Sequence, residues 1–182
     1  MINIRNVTSD DARELLDIYA PYIEKTAITF EYDIPTLDEF RERISQISNS
    51  YPYLVASDNG RIIGYAYASE FKARAAYQWS VETSIYLDME ERHHGVGKTL
   101  YTELEKQLKS KGILNMNACI TCMDEADEYL PLDSIHFHET MGFARCAHFH
   151  QIGYKFNRWY DMIWMEKLIG NHCNKGDKRR KT

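Results

Sequence analysis

The residues best placed to do chemistry lie between Glu82 and Thr99. In Val81-Glu-Thr-Ser-Ile-Tyr-Leu87 the side chains alternate, with Val81, Thr83, Ile85 and Leu87 facing one way and Glu82, Ser84 and Tyr86 the other. That is the pattern of a strand with one cleft-facing side. The period then changes. Val96, Leu100, Leu104 and Leu108, with Tyr101 beside them, share one helical face. Between the two lies Arg92-His-His-Gly-Val-Gly-Lys-Thr99. A strand, a glycine-bearing loop and a helix N-terminus together offer backbone N–H groups and the positive end of a helix dipole to an anion. Glycine admits phosphate oxygens to the main chain, and Lys98 adds charge in the first turn. A pyrophosphate site is expected here.

Two familiar phosphate loops do not fit. A Walker A loop needs glycine five positions before Gly97-Lys98-Thr99, where Arg92 stands. A dinucleotide fingerprint beginning at Gly95 needs glycine at the position of Leu100. Elsewhere, Lys72, Arg74 and Tyr77 form a basic, aromatic segment. A guanidinium binds anionic oxygens in a fork and an ammonium adds a point charge. His138 lies four residues before Gly142 on a predicted helix beside Ile135 and Met141, and imidazole titrates near neutral pH. Cys119-x-x-Cys122 and His136-x-His138 suggest a metal on paper. The two cysteines face opposite sides of a predicted strand, however, and their distance from the histidines fits no familiar zinc finger. No metal site is expected.

These residues need elements to hold them. Met1–Val7 reads as a first strand, and Thr8-Ser-Asp-Asp11 as a capped helix start. Ala12, Leu15, Leu16 and Tyr19 then form a helical stripe that should end near Pro21. Thr36 opens a second amphipathic helix carrying Leu37, Phe40, Ile44 and Ile47. Tyr53–Ala56 and Ile62–Ala68, around Asp58-Asn-Gly60, predict a hairpin with a type I′ turn. Residues 113–122 form a further strand after a helix stop at Gly112, and Asp133 or Ser134 should cap a short helix ending at Gly142. Strands around 145–152 and 160–168 complete the order.

The whole chain sets limits. Its 182 residues, 44% apolar, suit one domain over 1–170 with a full core. Residues 171–182, rich in Lys and Arg, read as a basic disordered tail. The net charge of −5 argues against a nucleic-acid partner. No apolar run is long enough for a membrane span, the N-terminus lacks the plan of a secretory signal, and four cysteines do not make a disulfide scaffold. A cytoplasmic protein is expected.

Arg92-x-x-Gly-x-Gly97 closely resembles the acyl-CoA loop of the Gcn5-related N-acetyltransferase (GNAT) superfamily. Phe71–Trp79, Val81–Leu87, Pro52–Ala56, Ser134–Phe143 and Gly153–Asp161 are similar to its phosphinothricin acetyltransferase branch, so the likeness covers essentially residues 2–169. It implies an α/β (α+β) fold: a mixed, strongly twisted central sheet flanked by helices, with the strands at 81–87 and 113–122 splayed. It implies acetyl-CoA in that gap, bound by Ile85, Tyr86, Leu87, Arg92, His93, His94, Gly95, Val96, Gly97, Lys98, Thr99 and Ser134. N-acetylation needs a neutral amine, so a group must accept a proton. The resemblance gives that role to Glu82. It makes His138 the counterpart of a tyrosine that protonates the departing CoA thiolate, and it puts Phe30, Lys72, Arg74, Tyr77 and Ser84 around a small anionic amine. A homodimer is also implied, with the aromatic Gly153–Trp164 region as a source of contacts.

Two features depart from the family pattern. Pro131 stands where asparagine is usual, and residues 122–131 are longer and more acidic than expected. Both bear on the substrate. Two other readings share the fold: a module that binds acyl-CoA without turnover, and an enzyme that acetylates a protein or peptide amine. A pure binder needs no base, so Glu82, His138 and the Lys72/Arg74 pair oppose the first.

Overall fold

A computed structural model describes residues 2–90 and 95–173. Arg92, His93 and His94 of the expected phosphate loop, and most of the basic tail, lie outside the described residues. The strands β1 (Asn3–Asn6), β2 (Tyr53–Asp58), β3 (Arg61–Glu70), β4 (Ser80–Leu87), β5 (Asn115–Cys122), β6 (Ala144–Lys155) and β7 (Arg158–Leu168) form one sheet in the order β1-β2-β3-β4-β5-β7-β6. The pairings are antiparallel except β4 with β5, which run parallel. Helices α1 (Ala12–Lys25), α2 (Leu37–Ser48), α3 (Val96–Ser110) and α4 (Asp133–Thr140) flank it.

Two cores sandwich the sheet. On one face Leu15, Ile18 and Ile23 of α1 and Phe40 and Ile44 of α2 meet Tyr53, Val55 and Tyr65. On the other, Leu100, Leu104 and Leu108 of α3 pack on Val81, Met116 and Ile163. The four-residue periodicity of α3 therefore points at one core, as its sequence requires.

Local chemistry sets most boundaries. Thr36 and Glu39 form a reciprocal capping box: the Thr36 N–H donates to the Glu39 carboxylate at 2.7 Å, and the Glu39 N–H donates to Thr36 Oγ1 at 3.3 Å. Asn59 and Gly60 both have positive φ, which makes the hairpin turn the expected primed type. Gly112, at φ +79°, closes α3 with a paired C-terminal motif: its N–H donates to Lys109 O and that of Ile113 to Leu108 O.

Two boundaries differ from the sequence reading. Helix α1 runs through Pro21 to Lys25. Proline gives up one helical hydrogen bond, but the burial of Ile23 and the anchoring of Tyr22 hold the last turn in place. Helix α4 starts at Asp133 behind Leu132, which supplies no side-chain cap, so neither Asp133 nor Ser134 is the N-cap.

Candidate active site

The β4–β5 ladder holds only Ser80, Val81 and Glu82 against Asn115, Met116 and Asn117. Beyond that point the two parallel strands part, leaving β4 from Thr83 to Leu87 paired only with β3. Asn117 pins the branch point. Its side-chain amide donates to Val81 O at 3.0 Å, and the Thr83 hydroxyl donates to Asn117 O at 3.1 Å. Glu82, the last paired residue, stands at the fork.

Glu82 is half-buried, and that burial raises its carboxyl pKa, while the nearby Lys72 ammonium draws it partly back. Cys119 of β5 lies on the same side, its thiol pushed up to about 12 by burial and then by the Glu82 charge. Lys72 sits 5.1 Å from the Phe71 ring centroid and 5.6 Å from that of Trp164. Tyr77 meets Phe71 edge-on, and Arg74 heads the short 3₁₀ turn Ala75–Tyr77 at the surface. Lys72 and Glu82 are thus brought together, with Tyr77 and Arg74 at the rim.

Past Glu82, the same face of β4 enters a nest of tyrosines. Ser84 is hydrogen-bonded to Tyr67, and the Tyr86 ring packs against those of Tyr19, Tyr22 and Tyr65 at 4.8, 5.1 and 5.4 Å. A cavity of about 160 Å³ lies here, with the Arg43–Glu31 ion pair among its walls. A broader concavity of about 960 Å³, lined by Tyr51, Glu70 and Trp79, lies at the start of β4, away from Gly95. Phe30 sits farther round, its ring packed so closely over Gly153 that a Cβ there would lie 2.2 Å from it. Phe30 joins the cluster of Ala27, Leu130 and Tyr160 instead of the tyrosine nest.

His138 occupies the opposite face of β4. The C-terminal motif of α4 seats it: Gly142 adopts φ +88°, the Phe143 N–H donates to His138 O at 2.9 Å, and the two rings meet edge-on. The imidazole is 3% exposed and both its nitrogens are engaged. Nδ1 lies 2.7 Å from Ser134 O, an acceptor, so this nitrogen carries the hydrogen. Burial lowers the ring's pKa, which favours the neutral form, and Nε2 then accepts from Tyr101 OH at 3.0 Å. Tyr101 in turn lies 3.4 Å from Thr83 Oγ1, linking His138 to β4. Exposed His136 shares none of this.

At the head of α3, Gly95 turns the chain at φ +101° with open space where a Cβ would stand. Helical bonding begins with the Thr99 N–H donating to Gly95 O, so Val96, Gly97 and Lys98 offer their N–H groups ahead of the ladder. Gly97 serves another purpose. It is buried, and a Cβ there would come within 3.1 Å of Phe137 and 3.4 Å of Ile85. Lys98 and Thr99 are exposed. The polar backbone of Leu87 is already clamped, its C=O accepting from Tyr22 OH at 2.7 Å and its N–H donating to the same oxygen at 3.2 Å. Ser134 contributes its carbonyl to His138.

Residues 4–164 match the family model described as an acetyltransferase (GNAT) domain. The chain belongs to the GNAT acetyltransferase family. Among its relatives is a phosphinothricin N-acetyltransferase of Streptomyces viridochromogenes, 33% identical over 167 residues that span 91% of this chain and 87% of the other. An L-methionine sulfoximine/L-methionine sulfone acetyltransferase of Salmonella typhimurium is 30% identical over 68% of each chain. The crystal structure of a phosphinothricin acetyltransferase from Sinorhizobium meliloti in complex with AcCoA superposes with a TM-score of 0.84. It is 36% identical, over 93% of this chain and 89% of that one. The protein is an acyltransferase of the N-acetyltransferase type.

Several parts of this GNAT site escape sequence reasoning. Cys119 beside Glu82 and Trp164 beneath Lys72 come from strands distant in sequence, and no local pattern marks them. Asn117 left a usable signal, because an asparagine inside the apolar run Met116–Cys122 must find hydrogen-bond partners. The tyrosines at 65, 67 and 86 alternate along two strands and, read together with Tyr53, already describe one aromatic face.

Proposed function

We propose that this N-acetyltransferase moves the acetyl group of acetyl-CoA to the amine of a small, anionic, amino-acid-like acceptor of the phosphinothricin or methionine sulfone and sulfoximine type. The observation that carries the reading is Glu82, a half-buried carboxylate with raised proton affinity, beside a cation at the fork of β4 and β5. A raised pKa makes it a better acceptor of the proton that an amine must lose. Lys72, joined by Arg74 and Tyr77 at the rim, supplies charge for anionic oxygens, and Ser84 lies next along the same face. Phe30 would limit the acceptor's far side. The names of the relatives support this substrate class.

Acetyl-CoA would supply the activated acyl group. The residues that fit it are the unpartnered edge of β4 around Ile85 and Tyr86 and the N–H groups of Val96, Gly97 and Lys98 behind the open turn at Gly95. The sequence motif adds Arg92, His93 and His94. The amine nitrogen attacks the thioester carbonyl directly, its proton passes to Glu82 or through water, and the C–S electron pair leaves with sulfur. Return of a proton to that sulfur is the role expected of His138. For this, Nε2 must first gain a proton, after which the Tyr101 hydroxyl passes its hydrogen towards sulfur and regains one from Nε2. We read the active species as a homodimer, supported by the exposed aromatic surface of β6 and β7.

Release of CoA thiol, measured against phosphinothricin, methionine sulfone, methionine sulfoximine, an uncharged amine and a lysine peptide, tests the reading. Turnover should favour the anionic amino-acid analogues. Turnover confined to the peptide, or saturable acetyl-CoA binding with no turnover on any amine, would overturn it.

A further inference from the structure

The far edge of the sheet carries a cluster of groups that acetyl transfer does not use. Cys122 on β5 lies opposite Asp161 on β7, and β6 brings His148 and His150 to the same place. Cys122 and Asp161 are paired and share a sheet face; His148, paired with Ile163 two residues from Asp161, shares it too, and His150 reaches it from the irregular stretch after Phe149. His148 Nε2 lies 2.7 Å and His150 Nδ1 3.0 Å from the same atom, Asp161 Oδ2. The Cys122 sulfur is 3.9 Å from His148 Nε2. The other carboxylate oxygen, Oδ1, accepts the Gln151 N–H at 2.7 Å, which fixes the carboxylate's orientation.

We propose that Cys122, His148, His150 and Asp161 form a binding site for one zinc-class divalent metal ion. Two imidazoles, a carboxylate and a thiolate are the donors that tetrahedral zinc takes, and a mixed N, O and S set disfavours magnesium and calcium. Tetrahedral coordination implies N–O edges of roughly 3.3 Å and N–S edges of roughly 3.6 Å. The ion would therefore part the imidazoles from Oδ2 by a few tenths of an ångström, whereas the Cys122 sulfur, 3.9 Å from His148 Nε2 but outside the close grouping of the other three donors, has farther to swing in. The Gln151 N–H on Oδ1 is the outer-shell hydrogen bond that ligating carboxylates characteristically receive. On binding, the Cys122 S–H bond breaks, sulfur keeps the electron pair for the metal and the proton goes to solvent; His148 Nε2 and His150 Nδ1 give up the hydrogens they donate to Asp161, each ring keeping its hydrogen on the other nitrogen.

Four protein ligands leave no open coordination position, so the site is structural. It also lies on the opposite side of β5 from Cys119 and Glu82, because Cys119 and Cys122 are an odd number of residues apart. Its effect is to cross-link β5, β7 and β6. The pattern is distinct from Cys119-x-x-Cys122 with His136-x-His138, which does not converge among the described residues.

The experiment uses full-length, tag-free protein stripped with a chelator. Zn²⁺ is titrated against a chromophoric competitor, and Co²⁺ is followed by electronic spectroscopy. One equivalent of Zn²⁺ should bind and raise the midpoint of thermal unfolding. Co²⁺ should give the visible bands of a tetrahedral ion together with a near-ultraviolet thiolate charge-transfer band. Cys122→Ser should lose the charge-transfer band. Joint His148→Ala and His150→Ala substitution should weaken binding by at least about tenfold while leaving the melting of the metal-free protein unchanged. Asp161→Asn provides an independent variant for the same loss. Absence of saturable binding to wild type, or binding of unchanged stoichiometry and affinity in the double variant, would overturn the proposal. A charge-transfer band that persists in Cys122→Ser would remove the thiol from the ligand set.

Discussion

Lys72 has two jobs at one position: its ammonium acts on the Glu82 carboxylate, and it brings positive charge to the fork over the Trp164 ring. Lys72→Ala should raise KM for an anionic acceptor by about tenfold, the scale of one charge-assisted hydrogen bond, and leave KM for acetyl-CoA nearly unchanged. Because Lys72 lowers the pKa of Glu82, its removal should also move the acid limb of the rate profile to higher pH. Steady-state kinetics across pH read both effects, and an unchanged KM with an unmoved limb would contradict them. At this scale Glu82 was legible in sequence, since alternation alone puts it with Ser84 and Tyr86. The enclosure of His138 was not. It depends on Tyr101, Ser134 and Phe143 converging from α3, α4 and the turn that follows. Gly97 shows a subtler limit: its glycine could be read as room for phosphate, but packing against Phe137 and Ile85 already demands it.

Elements were legible where local chemistry decides them. The Thr36–Glu39 box, the Asn59-Gly60 turn and the glycine stops at Gly112 and Gly142 all lie within a few residues of what they cap. Pro21 misleads because the interactions that carry α1 past it come from elsewhere, with Tyr22 reaching Leu87 on β4. The junction between β1 and α1 offers a stability test. Arg5 binds both Asp11 oxygens at 2.7 Å, and the Thr8 N–H and hydroxyl donate to Asp11 Oδ2. The Arg5 hydrogen bonds hold the buried carboxyl below its ordinary 3.8. A depressed folded pKa contributes stability that is fully present above the unfolded value and is lost as pH falls through the folded one. Asp11→Asn should therefore cost about 1–3 kcal/mol at neutral pH, with wild type and variant converging below about pH 4. Urea unfolding at several pH values measures this, and equal stability at pH 7 would contradict it.

For the molecule as a whole, the GNAT architecture was legible because its element order is distinctive and its motifs are spread along the chain. The quaternary state was not, since a sequence cannot say which aromatics face solvent. The fold shows which apolar side chains do: Phe149, Ile152, Tyr154 and Trp159 are 43%, 50%, 43% and 56% exposed on the last hairpin. Apolar surface of this kind suits a partner. Wild type should sediment as a dimer, and Ile152→Glu combined with Trp159→Glu as a folded monomer. A wild-type monomer at all concentrations would contradict the dimer. Among the described residues no helix is long and apolar enough to cross a membrane.

Proton transfer to Glu82 is the step on which the account rests, and kcat/KM against pH, for wild type and Glu82→Gln on the fastest anionic acceptor, tests it most directly. Burial raises the Glu82 pKa, so wild-type activity should fall on the acid side through a limb above the ordinary glutamate value of 4.5, where the carboxylate becomes protonated. Glu82→Gln should lower kcat/KM by roughly 10²–10⁴-fold and abolish that limb, leaving only the ionisation of the amine itself. A variant within a few-fold of wild type, with the same limb intact, would contradict the assignment of Glu82 as the base.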